Sequence, residues 1–287
     1  MKLSVIIPCY NAAGTIAAQL EALANQHWSE PWEVIIANNR STDDTRAIVE
    51  RYRGRISNLR VVDASERQGQ PYALNTGVAA ARGESVAFSD ADDEIAPGWV
   101  TAMGEALSTY EFVACRVDDE KLNSPESRRM RGNNQREGIQ KYRYPPYLPH
   151  AGGGTIGVRR RLLQAFGGFD ETLPYLHDTD LCWRLQRAGT ELHFVPEAVL
   201  HIRYRDNIRS IYRQARNFGE YNVILYKRYR PLGMPKLSWK QGVLGWVGVV
   251  RQLAYVRDRV GLGAWMWQFA WRVGRVRGSV KHRVLSL

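Results

Sequence analysis

The sequence predicts a parallel, doubly wound α/β sheet, and three observations lead there. Short apolar, β-branched runs at 3–7, 33–37, 59–62 and 85–88 alternate with stretches of helical period. Runs of this buried type, separated by helices, build parallel sheets covered on both faces. Polar side chains gather just after the runs: Asn11 after the first, Asn38 and Asn39 after the second, Asp90-Ala91-Asp92 after the fourth. In such sheets ligands sit at the carboxyl ends of the strands. With 44% hydrophobic residues among 287, the chain can build a real core, which excludes global disorder.

The first run ends in a turn at Pro8-Cys9-Tyr10-Asn11, and residues 14–26 read as a helix with Ile16, Leu20 and Leu23 on one face. After the second run, Ser41-Thr42-Asp43-Asp44 is a helix start leading into Ala47-Ile48-Val49. The third run and a helix over 71–81 precede the fourth. Residues 118–150 are polar and loop-like, and a connection that long is usually functional or mobile. Gly152-Gly153-Gly154 opens a second half, with helices near 159–166 and 178–188 and a strand near 191–195. From about residue 207 the pattern is helical and basic, which divides the chain into 1–205, with halves 1–117 and 118–205, and a tail 206–287.

Charge separates these parts. Residues 201–287 hold 18 Lys+Arg against 3 Asp+Glu, a net +15, leaving 22 against 26 for the rest. A basic tail on a mildly acidic body points to an anionic partner for the tail. Five of the nine tryptophans (Trp239, Trp246, Trp265, Trp267, Trp271) fall there too, and interfacial Trp with Arg favours a membrane surface over nucleic acid. On a helical reading of 265–280, Gln268, Arg272, Arg275 and Ser279 make a polar stripe opposite Trp265, Met266, Phe269, Val273, Val276 and Val280. The plainer alternative is a helix packed on the α/β body. No apolar run reaches the ~18 residues of a membrane span, and the amino terminus lacks the apolar region of a secretory signal. Cys9, Cys115 and Cys182 make no disulfide framework or zinc pattern. The expected location is therefore cytoplasmic, peripheral on the inner face of the cell membrane.

Asp90-Ala91-Asp92-Asp93 at a strand end is a hard-oxygen site for Mg²⁺ or Mn²⁺, shared with substrate phosphates. An isolated Asp-x-Asp is more often a solvated turn or a helix cap, and it is the position after a central strand that favours metal. Asp178 and Asp180 open a helix, where Asp is most often a cap. Asp178 is also a candidate general base. His201, after an apolar run, is either structural or a ligand. There is no P-loop, no Gly-x-Gly-x-x-Gly after the first strand, no Gly-x-Ser-x-Gly elbow and no zinc-protease spacing. From the residues alone the reading stops at a metal-assisted nucleotide-type ligand on an α/β sheet.

An ordered series of segments resembles the family 2 glycosyltransferases of the GT-A fold. It comprises Val5-Ile6-Ile7-Pro8-Cys9-Tyr10-Asn11, Val34 to Thr45 with Asn38-Asn39-Arg40-Ser41-Thr42-Asp43-Asp44, Ala73-Leu74-Asn75-Thr76-Gly77, Asp90-Ala91-Asp92-Asp93, Gly167-Gly168-Phe169-Asp170-Glu171, Asp178-Thr179-Asp180 and Val195-Pro196-Glu197-Ala198-Val199-Leu200-His201. It covers roughly residues 1–205. The resemblance implies an inverting enzyme that moves one sugar from a nucleotide-diphospho-sugar to an acceptor hydroxyl, saccharide or lipid-linked, in glycan or cell-surface polysaccharide synthesis. It implies a nucleotide pocket of Pro8, Tyr10, Asn11, Asn38, Asn75 and Asp90, a metal site of Asp90, Asp92 and His201, and Asp178 as base. The first half would bind the donor and the second the acceptor.

Three departures qualify it. Asn38 stands where the family has an Asp that reads the base, so its oxygen accepts without charge and its NH₂ adds donors. His177 stands where Glu is usual, which predicts a more positive setting for Asp178. The Gln-x-x-Arg-Trp of processive polymerases is absent after Asp178, the similar Gln140-Lys141-Tyr142-Arg143-Tyr144 lying before it. A sugar-nucleotide-forming nucleotidyltransferase would need a glycine-rich basic loop after the first strand, and a nucleic-acid-binding module a phosphate-tracking patch. Neither is seen.

Overall fold

A computed structural model describes residues 1–286. The four expected strands are β1 (Leu3–Cys9), β2 (Trp32–Asn38), β3 (Leu59–Asp63) and β4 (Ser85–Phe88), joined by α1 (Ile16–Ala24), α2 (Thr45–Glu50) and α3 (Gln70–Ala80). They lie parallel in the order β3-β2-β1-β4, so the chain switches direction across the sheet between β1 and β4. A crevice at the strand ends opens at such a point. Leu3, Val5, Ile6 and Ile7 are fully buried, and each apolar side chain removed from water contributes about 1.5–3 kcal/mol. On α3, a Cβ at Gly77 would fall 2.4 Å from Ile6 Cγ2, so glycine there lets the helix lie against β1.

The chain continues through β5 (Glu94–Ile95), α4 (Trp99–Thr109), β6 (Phe112–Asp118), α5 (Pro125–Arg131), β7 (Ile156–Arg159), α6 (Arg160–Ala165), α7 (His177–Arg187) and β8 (His193–His201). The sheet extends as β4-β7-β6-β8-β5. Here it departs from the all-parallel expectation, because β7 runs antiparallel to both β4 and β6, and β5 antiparallel to β8. β8 also outruns the expected 191–195. Val195 pairs with Cys115 and Val199 with Arg116, so three residues starting at Pro196, which has no N–H to give, bulge from the ladder before pairing resumes.

The described residues form two compact units. The first (1–122, 134–140, 149–203) carries the sheet. The second (123–133, 141–148, 204–287) carries α5, α8 (Ile208–Tyr229), α9 (Trp239–Leu253) and α10 (Arg259–His282). Residues 123–133, which carry α5, and 141–148 thus pack with the helical tail, whereas the sequence groups them with 1–205. In the second unit α8 and α10 meet backbone to backbone: a Cβ at Gly274 would fall 1.9 Å from Arg216 O, and one at Gly219 2.0 Å from Trp271 O. Arg275 is buried in this seam. It donates to Asn222 Oδ1 and Ser286 Oγ, and its guanidinium lies 4.8 Å from the centres of both the Tyr144 and Trp271 rings. Burial lowers its pKa to about 10, so it is still cationic at neutral pH. The expected polarity of 265–280 is therefore corrected. Arg275 and Ser279 face inward while Val276 and Val280 are exposed, because close packing of glycines, not side-chain polarity, selects the contact face.

Candidate functional site

The first unit gathers its polar groups at the carboxyl ends of β1, β2 and β4, and the local sequence explains why each stands as it does. Asn11 adopts a left-handed conformation (φ 48°), which Asn tolerates better than most residues. Its Oδ1 accepts from Thr42 N at 2.8 Å and its own N–H donates to Ser41 Oγ at 3.1 Å, tying the loop after β1 to the loop after β2. Asp43 fastens the same pair from below, accepting from Ala13 N at 3.0 Å. The Tyr10 ring is left exposed beside Asn11, and Pro8 is half-buried one turn earlier.

Asn38 ends β2. Its Oδ1 is buried and has no hydrogen-bond partner among the described residues. An orphaned buried acceptor is costly, and a ligand N–H is one way of satisfying it. The neighbouring Asn39 is fully used: Nδ2 donates to Arg67 O at 2.7 Å and to Ala64 O, and Oδ1 accepts from Gly69 N at 2.9 Å, folding 64–69 over the end of β3. Asn75 is also committed. Its amide bridges Phe169 N, Phe169 O and Glu171 Oε1 at 2.8–3.0 Å, so it shapes the Gly167–Gly168 turn instead of presenting a free group.

After β4, Asp90, Asp92 and Asp93 bring one oxygen each to within 4.8 Å of one another. The loop that holds them hangs on the buried Gln19, which donates to Ser89 Oγ at 2.5 Å and accepts from Ile95 N at 2.9 Å. Burial, reinforced by the Asp92 and Asp178 carboxylates, pushes Asp90 up to about 7, although Gln70 Nε2 donates to its Oδ1 at 2.8 Å and pulls the other way. Burial and the Asp90 and Asp92 carboxylates hold Asp93 well above the usual carboxylate range, against a 2.8 Å bond from Arg203 N. Asp90 and Asp93 resist ionising, and with Asp92 beside them a divalent cation would offset the gathered negative charge, so the donor set fits a hard metal ion. His201 lies outside that group, with its Nδ1 2.7 Å from Asp118 Oδ2.

Asp178 begins α7, half-buried. Its Oδ2 accepts from Gly153 N at 2.9 Å and its Oδ1 from Thr179 N at 2.7 Å. Gly154 presses on the other carboxylate: a Cβ there would fall 2.9 Å from Asp90 Oδ2. The glycine turn, read from sequence only as the opening of a second half, is thus the piece that holds Asp90 and Asp178 together. Asp180 is buried and paired with Arg184 Nε at 2.7 Å, a structural role. His177 does not make the setting of Asp178 more positive. Burial lowers its pKa further than Asp178 raises it, so the ring, packed edge-on against Phe169, stays neutral. Sequence reasoning misses Gln70 and the approach of Gly154 to Asp90; Asp93 stands in the acidic run that the sequence marks as a metal site, though the resemblance gives it no role.

Comparison with known proteins adds to this geometry. Residues 4–167 match the sequence model of Glycosyl transferase family 2. An uncharacterized glycosyltransferase of Escherichia coli, YibD, is 41% identical over 119 residues, 41% of this chain and 34% of its own length. The pre-mycofactocin glycosyltransferase of Mycobacterium tuberculosis is 25% identical over 251 residues, 85% of this chain and 52% of its own. The chain thus spans about a third to a half of these relatives. Among solved structures, the mannosyltransferase PcManGT of Pyrobaculum calidifontis, in complex with GDP-Man and Mn²⁺, superposes with a TM-score of 0.64 at 22% identity, covering 96% of this chain and 87% of that one. Residues 1–349 of TarS from S. aureus, in complex with UDP-GlcNAc, superpose with a TM-score of 0.54 at 18% identity, covering 99% and 93%. These structures establish the GT-A fold.

Proposed function

The chain belongs to glycosyl transferase family 2, and on that premise we propose that it transfers one sugar from a nucleotide-diphospho-sugar to an acceptor hydroxyl, with inversion and with the help of a divalent cation. The observation that carries this is the pairing of Asp90 with Asp178 through one glycine turn. It sets a candidate phosphate-end carboxylate beside a candidate base.

The donor's base and ribose lie against Pro8, Tyr10 and Asn11, with the orphaned Asn38 oxygen accepting from the base edge. Asn75 contributes by shaping the adjoining turn. Asp90 and Asp92, with Asp93 beside them, would hold Mg²⁺ or Mn²⁺, and His201 would have Nε2 to offer as a further ligand. When bound, the cation neutralises charge on the departing nucleoside diphosphate. Asp178 Oδ2 takes the acceptor's hydroxyl proton as that oxygen bonds to the anomeric carbon and the carbon–phosphate-oxygen bond breaks. A single displacement of this kind inverts the carbon. UDP- and GDP-sugars are the first donors to test, because the fold neighbours bind UDP-GlcNAc and GDP-Man. The acceptor in this reading is a hydroxyl of a saccharide or a lipid-linked saccharide, the class that the family resemblance suggests.

The test is product release. A transferase releases nucleoside diphosphate; release of pyrophosphate would identify a nucleotidyltransferase, and release of neither a binding module. Asp178→Asn keeps an oxygen for Gly153 N, so it is expected to bind donor normally and lose transfer by ~10²-fold or more. Near-wild-type turnover would remove Asp178 from the mechanism.

A further inference from the structure

The second unit leaves one helix face uncovered, and it is not the face that sequence periodicity selects. On α9, Trp239, Val243, Val247 and Val250 follow at steps of four, four and three and form one exposed stripe. Trp239 is 61% and Val250 68% exposed, and Leu244, Leu253 and Tyr255 extend the apolar surface. The opposite side of the helix is fixed to α10. Trp265 Nε1 donates to Val249 O at 2.9 Å, Trp246 meets Phe269 edge-on at 6.1 Å, and Gly242 and Val249 are buried. The outward stripe is therefore held in place by a packed inner face and does not arise from a loose helix.

The charge around the stripe is of one sign. Lys236, Lys240, Arg251, Arg257 and Arg259 are exposed before, beside or after it, and no Asp or Glu occurs between 221 and 257. Asp258, the single acid nearby, caps α10 by accepting from Gly261 N at 2.7 Å. An apolar stripe rimmed by cations, with Trp239 at one end and Tyr255 at the other, matches an interface of anionic headgroups over acyl chains. Among the described residues no helix is long and apolar enough to cross a membrane, so α9 would lie on such a surface.

We propose that the outward face of α9 docks on an anionic lipid surface. The proposal rests on the transferase reading only for its purpose, delivery of a lipid-linked acceptor; the binding itself is independent of substrate. It assigns to α9 the role that the sequence pattern offered to 265–280, whose Arg275 and Ser279 are buried.

The full chain is mixed, without donor or acceptor, with vesicles of phosphatidylcholine alone and of phosphatidylcholine with phosphatidylglycerol, and sedimented at low and high salt. The wild type is expected to pellet with the anionic vesicles at low salt only. Val243→Asp with Val250→Asp, both outward and outside the core, is expected to weaken partitioning by ~10-fold or more, and Lys240→Glu with Arg251→Glu comparably. Circular dichroism and nucleoside diphosphate release from a soluble donor check that each variant folds and works. Wild type that stays in the supernatant, or Asp variants that pellet equally, would overturn the proposal. So would a wild-type dimer in solution that Val243→Asp dissociates, since a second copy then covers the face. Loss of turnover with vesicle binding intact would count against the transferase reading and leave this one standing.

Discussion

Asp90 is the residue at which the electrostatics of the site can be read directly. Burial and its neighbours Asp92 and Asp178 lift its pKa from 3.8 to about 7, so the metal-free protein keeps a proton there in mildly acidic solution. A cation must displace that proton. Mn²⁺ affinity is therefore expected to rise with pH toward about 7 and level off above it, with proton release on binding below that point. The stability linkage has the matching sign. The folded protein binds this proton more tightly than the unfolded chain, so Asp90's contribution to metal-free stability falls as pH rises between about 4 and about 7. Calorimetric titration with Mn²⁺ at pH 5.5, 7 and 8.5 measures this, and an affinity flat across the series would take Asp90 out of the cation site. Asn38 tests a different contact. Asn38→Asp replaces two donors by a charged acceptor, and the order of affinity for UDP, GDP and TDP is expected to change. An unchanged order with unchanged affinities would place the base elsewhere. Asp90, Asp92, Asn38 and Asp178 can be picked out of the sequence as candidates because each lies in a segment with a distinctive local pattern. Gln70 and Gly154 cannot, since only the fold brings them, 20 and 64 positions away in sequence, against Asp90.

Among the elements, α10 shows how a correct helix can be assigned the wrong face. The period was legible, but Gln268, Arg272, Arg275 and Ser279 looked like a solvent stripe. What decides the contact is Gly274 and Gly278 on α10, with Gly219 on α8, where a Cβ would collide with backbone of the opposite helix. Glycine usually weakens a helix, and Gly274→Ala would gain up to ~1 kcal/mol of intrinsic propensity. Overpacking against Arg216 O outweighs that gain, since forced insertion into a packed contact typically costs about 1–3 kcal/mol and here the obstacle is backbone. Net destabilisation is expected in urea unfolding followed by circular dichroism. Equal or greater stability would show that the two helices do not close to this distance. Glu220 on α8 secures the same seam, meeting Lys281 Nζ at 2.9 Å and Arg277 Nε at 3.1 Å, and these partners lower its pKa despite its partial burial. Glycine is neither polar nor apolar by side chain, so a pattern of polar and apolar faces does not register these positions.

Across the whole molecule, the parallel half of the sheet could be read in advance because each strand there is a continuous apolar run closed by a polar turn. The antiparallel half could not. β7 has four residues, follows a glycine turn, and owes its direction to pairing with β4 and β6, partners far away in sequence. The short β5 exists only by pairing with β8. The insertion of β7 beside β4 has a consequence for how the protein can be altered. The backbone of Gly153 and Gly154 bears on both Asp178 and Asp90, and Gln135, from the long segment before that turn, braces it by accepting from Gly152 N at 3.2 Å and donating to Thr155 Oγ1 at 2.8 Å. Changes of length or composition within residues 118–150 that displace the buried Gln135 are thus expected to reach the reaction. A segment exchanged there must keep the Gln135 amide where it stands, for the turn leans on it as it does on Asp90 and Asp178.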